Sequence, residues 1–260
     1  MIWFTRGKSA LPCAATRLGN LETNTMRLFL ISASALALVA CTPAAETAPA
    51  ADAPAVAEPV EAEAAPVPEV AYGQAATYKA DPTHTSVVWR VNHLGLSKYT
   101  ARFKTVDATL AFNPQDLAAN SVEVTLDPLS VETDFQGDYK GTHKDSPFDS
   151  WNDDLGKSPT WFNATAFPQI TFKSTSAAQT GPATGTVTGD LTLLGVTKPV
   201  TLDVTYNGMV QLPWTPEQDR IGFSARTTLK RSDFGMTGNM EFIGDDVEII
   251  IETEFLEVAG

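Results

Sequence analysis

The chain is poor in cysteine, histidine and basic residues, and each shortage excludes a class of function. Its 260 residues include only two cysteines, Cys13 and Cys41, without a CxxC pair, which excludes a cysteine zinc cluster and a CxxC redox site. The three histidines, His84, His93 and His143, lack metal-binding spacings such as HxH or HxxxH. With 18 basic and 31 acidic residues the formal net charge is −13, which argues against a nucleic-acid partner because such binding needs basic surface.

Motifs of common catalytic sites are also missing. The sequence has no GxSxG nucleophile elbow, no Walker-type phosphate loop and no GxGxxG fingerprint. Adjacent carboxylates occur at 153–154 and 245–246. Neighbouring side chains on a strand point to opposite faces, so these pairs are poor candidates for acid–base catalysis. The sequence therefore predicts no cofactor, no metal site and a protein that is not an enzyme.

A targeting segment is predicted at residues 26–40. Met26 and Arg27 precede an apolar run over 28–40, which is shorter than the ~20 residues that span a bilayer. A basic start, a short apolar core and small residues before a cleavage point are typical of a secretory signal peptide. Because such a signal begins near the start of a chain, we interpret residues 1–25 as a gene-start error or a leader.

Residues 38–41, Leu-Val-Ala-Cys, resemble the lipobox of bacterial lipoproteins. The resemblance implies that Cys41 is acylated, becomes the mature N-terminus and serves as the lipid-attachment site to a membrane. Thr42 stands where aspartate favours retention in the inner membrane of Gram-negative bacteria, so the outer membrane is favoured here. The predicted location is therefore the periplasmic side of the cell envelope, on a lipid anchor.

A tether is predicted over residues 41–76. This segment is rich in alanine, proline and glutamate and contains no basic residue. A segment of this composition buries too little apolar surface to offset its chain entropy, so we expect it to be disordered and extended.

The rest of the chain, residues 77–258, predicts one all-β domain. Apolar and polar residues alternate through eight strand candidates, and strand side chains point to opposite faces at a period of two. The clearest case is the hairpin at 189–204, with Gly195 in its turn. Eight long antiparallel strands favour closure into a barrel, because closure removes exposed strand edges. A two-sheet sandwich is the alternative.

One helix interrupts the strand pattern. Ser158 fits an N-cap and Pro159 fits the first helical turn, so a short helix is predicted from Ser158 until Pro168 ends it. Trp161 and Phe162 on this helix are expected either to plug or line the mouth of the barrel, or simply to fasten a loop to the core.

The motifs of this domain, taken in order, resemble the YceI-like family of bacterial secreted proteins. The most specific are the hairpin at 189–204 and the string Arg-Ser-Asp-Phe-Gly at 231–235. The supporting stretches are 91–95, 128–133, 161–174 and 244–249. The region before Ser158 is longer than the Arg-Asp-x-His-Leu stretch that many members carry. The resemblance covers about residues 77–258.

This resemblance implies an extended lipocalin-like barrel of eight antiparallel strands with a long apolar channel. It implies a ligand that is a polyisoprenoid or a similar amphiphile, such as a polyprenyl phosphate, a quinone or a fatty-acid derivative, and it implies no catalysis. The expected role is carriage or storage of that lipid. The alternatives are an envelope-stress or interaction module with a filled barrel, and an enzyme acting on a lipid through His93.

The ligand-binding residues expected from these arguments fall into two groups. Three carry donors for a phosphate or carbonyl head group, namely His93, Arg102 and Arg231. The others are apolar and would contact the chain of the ligand: Trp89, Val91, Phe103, Leu110, Phe112, Trp161, Phe162, Phe172, Leu191, Phe223 and Phe234. A homodimer is also compatible with the sequence.

Overall fold

A computed structural model describes residues 70–259. The predicted leader, the signal peptide, Cys41 and the tether up to residue 69 lie outside the described residues. Within the described part of the chain, no helix is long and apolar enough to cross a membrane.

The secondary structure is almost entirely β. The strands are β1 Ala76–His93, β2 Ser97–Phe103, β3 Val106–Phe112, β4 Ser121–Leu126, β5 Val131–Glu132, β6 Ile170–Gln179, β7 Thr184–Leu193, β8 Val196–Leu212, β9 Thr215–Lys230 and β10 Ile243–Glu257. The helices are α1 Tyr139–Thr142 and α2 Trp151–Lys157, with 3-10 helices at Leu117–Ala119, Pro128–Ser130 and Arg231–Phe234.

The sheet closes into an antiparallel barrel, which confirms the predicted fold class. Eight strands form the ring in the order β1-β10-β9-β8-β7-β6-β4-β3, and β3 returns to β1. Closure pairs Val88 with Ile250 between the first and last strands of the chain. Closure of the ring gives each of its eight strands a hydrogen-bonded neighbour on both sides, which reduces exposed strand edge.

Strand β1 has two different neighbours on one side. Its first residues, Ala76–Lys79, pair with β3, whereas its later residues, Val87–His93, pair with β2. Strand β5 extends the sheet beyond β2 through the pair Phe103 and Val131. At this end no strand joins β5 to β6, and the chain between them supplies α1 and α2. We call this the helix end, and the opposite end, with the turns at 113–120, 180–183 and 213–214, the base.

The helix at this end lies earlier in the chain than predicted. Helix α2 begins after Ser150, whose side chain accepts from the Asp153 amide at 3.0 Å, and it ends at Ser158, whose amide donates to the Asp154 carbonyl. The predicted helix from Ser158 is therefore wrong: residues 158–167 form turns. A Ser-Pro pair fits a helix start, but it also fits a stop, because proline cannot continue a helix. The N-cap signal that operates here is Ser150 with acidic residues in the first turn.

The predicted hairpin at 189–204 is confirmed, and β7 and β8 form its two arms. Its turn residues Leu194 and Gly195 both have positive φ, 52° and 74°, which is the backbone of the tight hairpin turn that matches strand twist. A Cβ on Gly195 would also lie 2.7 Å from the Phe167 ring, so glycine is required there on two grounds. The turn fixes the register Leu193 opposite Val196.

The base of the barrel is filled by interlocking aromatic rings. Phe112 stacks on Tyr206 at 5.9 Å between ring centroids, and Tyr206 contacts Phe223 edge-on at 5.2 Å. Residues 70–75, which fall within the range predicted as tether, pack under this cluster, where the Gly73 amide donates to the Tyr206 hydroxyl. Tyr78 and Ile221 in the same cluster are completely buried.

Candidate ligand-binding cavity

The helix end of the barrel encloses a cavity of about 460 Å³. Its wall is formed by inward-facing side chains of the strands, and its roof by α2 and the turns that follow. The strand residues of the wall are almost all aliphatic or aromatic, which follows from the alternation in the sequence. The cavity is therefore an apolar space of the size that ordinary small-molecule pockets have.

Nine of the residues predicted to bind a ligand line this cavity. They are Trp89, Val91, His93, Phe103, Trp161, Phe162, Phe172, Leu191 and Arg231. Strand pairing explains why some of them meet, since Phe172 on β6 lies opposite Leu191 on β7. The structure therefore brings these residues together, although it contains no ligand with which to test their role.

Four predicted apolar residues do not line the cavity. Leu110, Phe112 and Phe223 face inward but belong to the packed core of the base. Phe234 lies in the 3-10 helix Arg231–Phe234 and is 2% exposed, packed into the wall behind the cavity surface. Their apolar character predicts only that these residues face the interior. Whether such a residue belongs to the packed core or to the cavity wall depends on its position along the barrel.

Arg102 also lies away from the cavity. Its neighbours Ala101 and Phe103 are buried, so the alternation of β2 directs Arg102 outward. Its Nη2 donates to the Asp134 carboxylate at 2.8 Å in an exposed ion pair. This geometry gives Arg102 no contact with the cavity and a place on the outer surface of the barrel.

Trp161 and Phe162 belong to the roof. The Phe162 amide donates to the Leu155 carbonyl at 3.0 Å, which fastens the turn to α2. The Phe162 ring meets Phe103 at 5.1 Å and Trp89 at 6.0 Å between centroids, both edge-on. Both rings line the cavity and both also pack against the core, so the pair has features of both alternatives.

Sequence reasoning did not identify all of the lining. The missed strand residues follow the alternation and were identifiable from it, for example Ile249 and Ile251 on β10. Phe135, Trp151 and Leu155 carry no such signal, because they reach the cavity from loops and α2. Their contribution depends on how the segment between β5 and β6 folds over the end of the barrel.

Arg231 is the one guanidinium of the wall within residues 70–259, and it is 2% exposed. Its Nε donates to the Gly244 carbonyl, Nη1 to those of Met236 and Gly238, and Nη2 to that of Ile243, at 2.8–3.1 Å. Burial lowers the pKa of Arg231, with nearby Asp245 acting against that shift. These four carbonyls hold the 231–244 segment closed over the barrel, which gives the Arg-Ser-Asp-Phe-Gly string a structural role.

Exposed apolar side chains also lie at the helix end beside the cavity. Leu94, Leu96 and Phe242 are 51%, 84% and 54% exposed, and the Leu94 amide donates to the Phe242 carbonyl, so the two loops lie side by side. Phe135, which lines the cavity, is itself 50% exposed. An apolar path therefore leads from solvent at the helix end into the cavity.

A cluster of titratable groups lies apart from the cavity, at an irregularity of β1. Asp81, His84 and Glu254 bring their side-chain ligand atoms together. Arg220 donates from Nη1 to Asp81 at 2.9 Å and also bonds Glu254. Because the guanidinium already supplies the positive charge between these carboxylates, the cluster is an ion-pair network that fastens β1 to β9 and β10.

The fold and the cavity define a class, that of closed antiparallel barrels that enclose an internal apolar space, as lipocalins do. The sequence model of the YceI-like domain matches residues 78–255. Protein YceI of Shigella flexneri and of Escherichia coli are each 36% identical over 182 residues, covering 69% of this chain and 86% of theirs. The chain belongs to the YceI-like domain family.

Solved structures show the same fold. Burkholderia cenocepacia BcnA superposes with a TM-score of 0.54 at 25% sequence identity, over 67% of this chain and 98% of that one. A Campylobacter jejuni YceI protein superposes with a TM-score of 0.52 at 27% identity, over 65% of this chain and 90% of that one. Each of these two structures superposes on about two thirds of this chain.

Proposed function

We propose that this protein binds a long-chain apolar or amphiphilic lipid inside its barrel and carries or stores that lipid in the bacterial envelope. The observation that supports this most strongly is the apolar cavity at the helix end, with exposed apolar side chains beside it. Each CH₂ group that moves from water into such a space contributes about 0.8 kcal/mol, less the cost of ordering a flexible chain. A long acyl or isoprenoid chain therefore suits this cavity better than a small polar metabolite does.

The alternative of a barrel filled by side chains describes the base but not the helix end. Interdigitated rings occupy the base, whereas about 460 Å³ remains free between Trp89 and the opposite wall residues Leu191 and Val200. A protein that used its barrel only as a rigid support would gain stability by filling this space. Its retention supports a ligand.

We also propose that the protein has no catalytic role in this cavity. His93, the residue on which an enzymatic alternative depends, lies exposed on the rim. The wall within reach of a bound chain is built from aliphatic and aromatic side chains, which favours binding over acid–base or nucleophilic chemistry. Loss of a lipid-directed turnover in His93→Ala, with the fold intact, would contradict this.

A matched pair of substitutions on β8 tests the binding proposal. Val200 lines the cavity, whereas Val210 is 47% exposed near the base. Val200→Phe adds a ring that narrows the cavity, and it is expected to weaken binding of a fluorescent long-chain lipid about tenfold, because the ring takes space that the chain would occupy. Val210→Phe is the control, with unchanged binding. Equal binding by both variants, or no uptake by the wild type, would refute an internal site.

The membrane attachment is a separate proposal that is supported by the sequence alone. We propose that Cys41 is acylated and holds the protein at the periplasmic face of the outer membrane, with residues 42–69 as a tether. Two or more acyl chains give stable anchoring. Cys41→Ser is expected to move the protein from the membrane fraction to the soluble periplasmic fraction. An intact mass without acyl groups in the wild type would contradict the anchor.

A further inference from the structure

At the base of the barrel, aromatic rings from opposite walls meet across the interior. Phe112 lies on β3 and Tyr206 on β8, and these strands are four positions apart in either direction around the eight-stranded ring. The two residues therefore belong to opposite walls, yet their ring centroids are 5.9 Å apart and their planes are 10° from parallel. Rings from opposite walls that stack on each other occupy the middle of the barrel at this level.

A third ring completes this layer, and we call Phe112, Tyr206 and Phe223 the aromatic floor. The Phe223 ring meets Tyr206 at 5.2 Å and Phe112 at 6.2 Å between centroids, both edge-on. Hydrogen bonds hold Tyr206 in place, because its hydroxyl accepts from the Gly73 amide and donates to the Ala71 carbonyl, each at 3.1 Å. The aromatic floor is therefore fixed by ring packing and by hydrogen bonds.

The cavity ends where this packed base begins. On β8, Leu202 lines the cavity, whereas Tyr206, four residues later on the same face, belongs to the base. On β10, Ile251 lines the cavity, whereas Phe255, again four residues later, belongs to the base. Val124 both lines the cavity and packs against the base cluster, so the two regions are in contact there. A chain whose end points toward the base therefore meets packed side chains after a limited depth.

We propose that the aromatic floor limits the length of lipid chain that the barrel holds, so that longer chains leave their excess carbon atoms outside the cavity. This inference rests on the proposed lipid-binding function and specifies the ligand by its chain length. At about 25 Å³ for each CH₂ group in a close-packed interior, a cavity of about 460 Å³ holds roughly 18 carbon atoms. The cavity therefore matches one acyl or isoprenoid chain of about 16–20 carbon atoms.

The first test measures the affinity of the wild type for saturated primary alcohols of increasing length, by displacement of a fluorescent lipid. Each added CH₂ group is expected to raise the affinity about threefold to fourfold as long as it is buried in the cavity. Beyond roughly 18 carbon atoms the gain for each CH₂ group should fall below about 1.5-fold, because the added groups stay outside. A constant gain up to about 24 carbon atoms would overturn the length limit and leave lipid binding intact.

A matched pair of variants then locates the limit. Phe223→Ala removes a ring from the aromatic floor, whereas Tyr72→Ala removes a ring that stacks on Tyr206 at 5.0 Å but is 39% exposed to solvent. Phe223→Ala is expected to move the break in the affinity series to chains about three to four carbon atoms longer, because the volume of the lost ring becomes available. Tyr72→Ala should leave the break where the wild type has it.

The outcomes separate the two proposals. An unchanged break in Phe223→Ala with a circular dichroism spectrum of the folded barrel, or an equal shift in Tyr72→Ala, would show that the aromatic floor does not set the limit. If Phe223→Ala does not fold, Phe223→Leu takes its place, with a smaller shift expected in the same direction. Failure of the wild type to bind any of the alcohols would instead refute the proposed function.

Discussion

The interior of the barrel is apolar at both ends, but the base is packed with side chains and the helix end contains a cavity. At the base, Tyr78, Phe112 and Tyr206 pack against one another, and residues 70–75 cover them. At the helix end, Trp89, Phe103 and the facing strands keep about 460 Å³ empty beneath α2. Strands β1, β8, β9 and β10 run through both ends of the barrel, and they contribute inward-facing apolar residues at each end. The difference shows that an inward-facing apolar residue is equally suited to core and to ligand wall.

The largest predicted effect comes from truncating one isoleucine at each end. Ile221 is fully buried in the base, and Ile249 lines the cavity on the neighbouring strand β10. Ile221→Ala is expected to lower the free energy of unfolding by about 3–4 kcal/mol, whereas Ile249→Ala costs about 1–2 kcal/mol because part of its side chain already faces empty space. Urea unfolding of both variants measures the difference. Equal losses would mean that the two ends are packed alike.

A smaller effect is expected from the arginine that closes the helix end. Arg231→Met removes hydrogen bonds to four carbonyls, and we expect a loss of about 2–3 kcal/mol in the free energy of unfolding. Arg231→Lys should recover little of it, since an ammonium does not reproduce the planar fork.

The control for this prediction is Arg102→Met, at an exposed ion pair, with an expected change below about 0.5 kcal/mol. If Arg231→Met unfolded no more easily than Arg102→Met, the string at 231–235 would not hold the rim.

The smallest effect concerns the ion-pair network that fastens β1. Although burial acts in the opposite direction, hydrogen bonds from Thr83, His84 and Arg220 hold the pKa of Asp81 well below its usual value. A carboxyl with a depressed pKa stabilises the fold above its unfolded pKa of ~3.9, and that stability is lost as the pH falls further. Asp81→Asn is therefore expected to cost about 1–2 kcal/mol near neutral pH and progressively less below about pH 4.

Unfolding curves at several pH values measure this effect, with the exposed Asp107→Asn as the control. A cost for Asp81→Asn that stays constant down to low pH would show that the charge of Asp81 is not what stabilises the network.

Much of the fold was predictable from the sequence, because strands and turns depend on residues that are close together in the chain. The alternation in the hairpin at 189–204 gives strand, face and turn together, because Gly195 adopts the positive φ that the turn needs. The helix was misplaced because a Ser-Pro pair is typical of a helix N-terminus, whereas Ser158 and Pro159 here follow the C-terminus of α2. The competing N-cap, Ser150, precedes a segment with little apolar periodicity, so nothing in the sequence marked it more strongly.

The site was less predictable because it depends on distance along the barrel. His93 and Phe223 both lie on predicted strands, yet one reaches the rim of the cavity and the other the packed base. Phe135 and Trp151 also line the cavity, but they reach it from the segment between β5 and β6, so no strand alternation marks them in the sequence.

The most direct test of a ligand-holding helix end is native mass spectrometry of the protein purified from its bacterial envelope. We expect a folded wild type that carries a noncovalent adduct of lipid mass, lost on denaturation and reduced in Val200→Phe, whose added ring narrows the cavity. A wild-type protein of bare mass that also takes up no added isoprenoid or acyl lipid would contradict it.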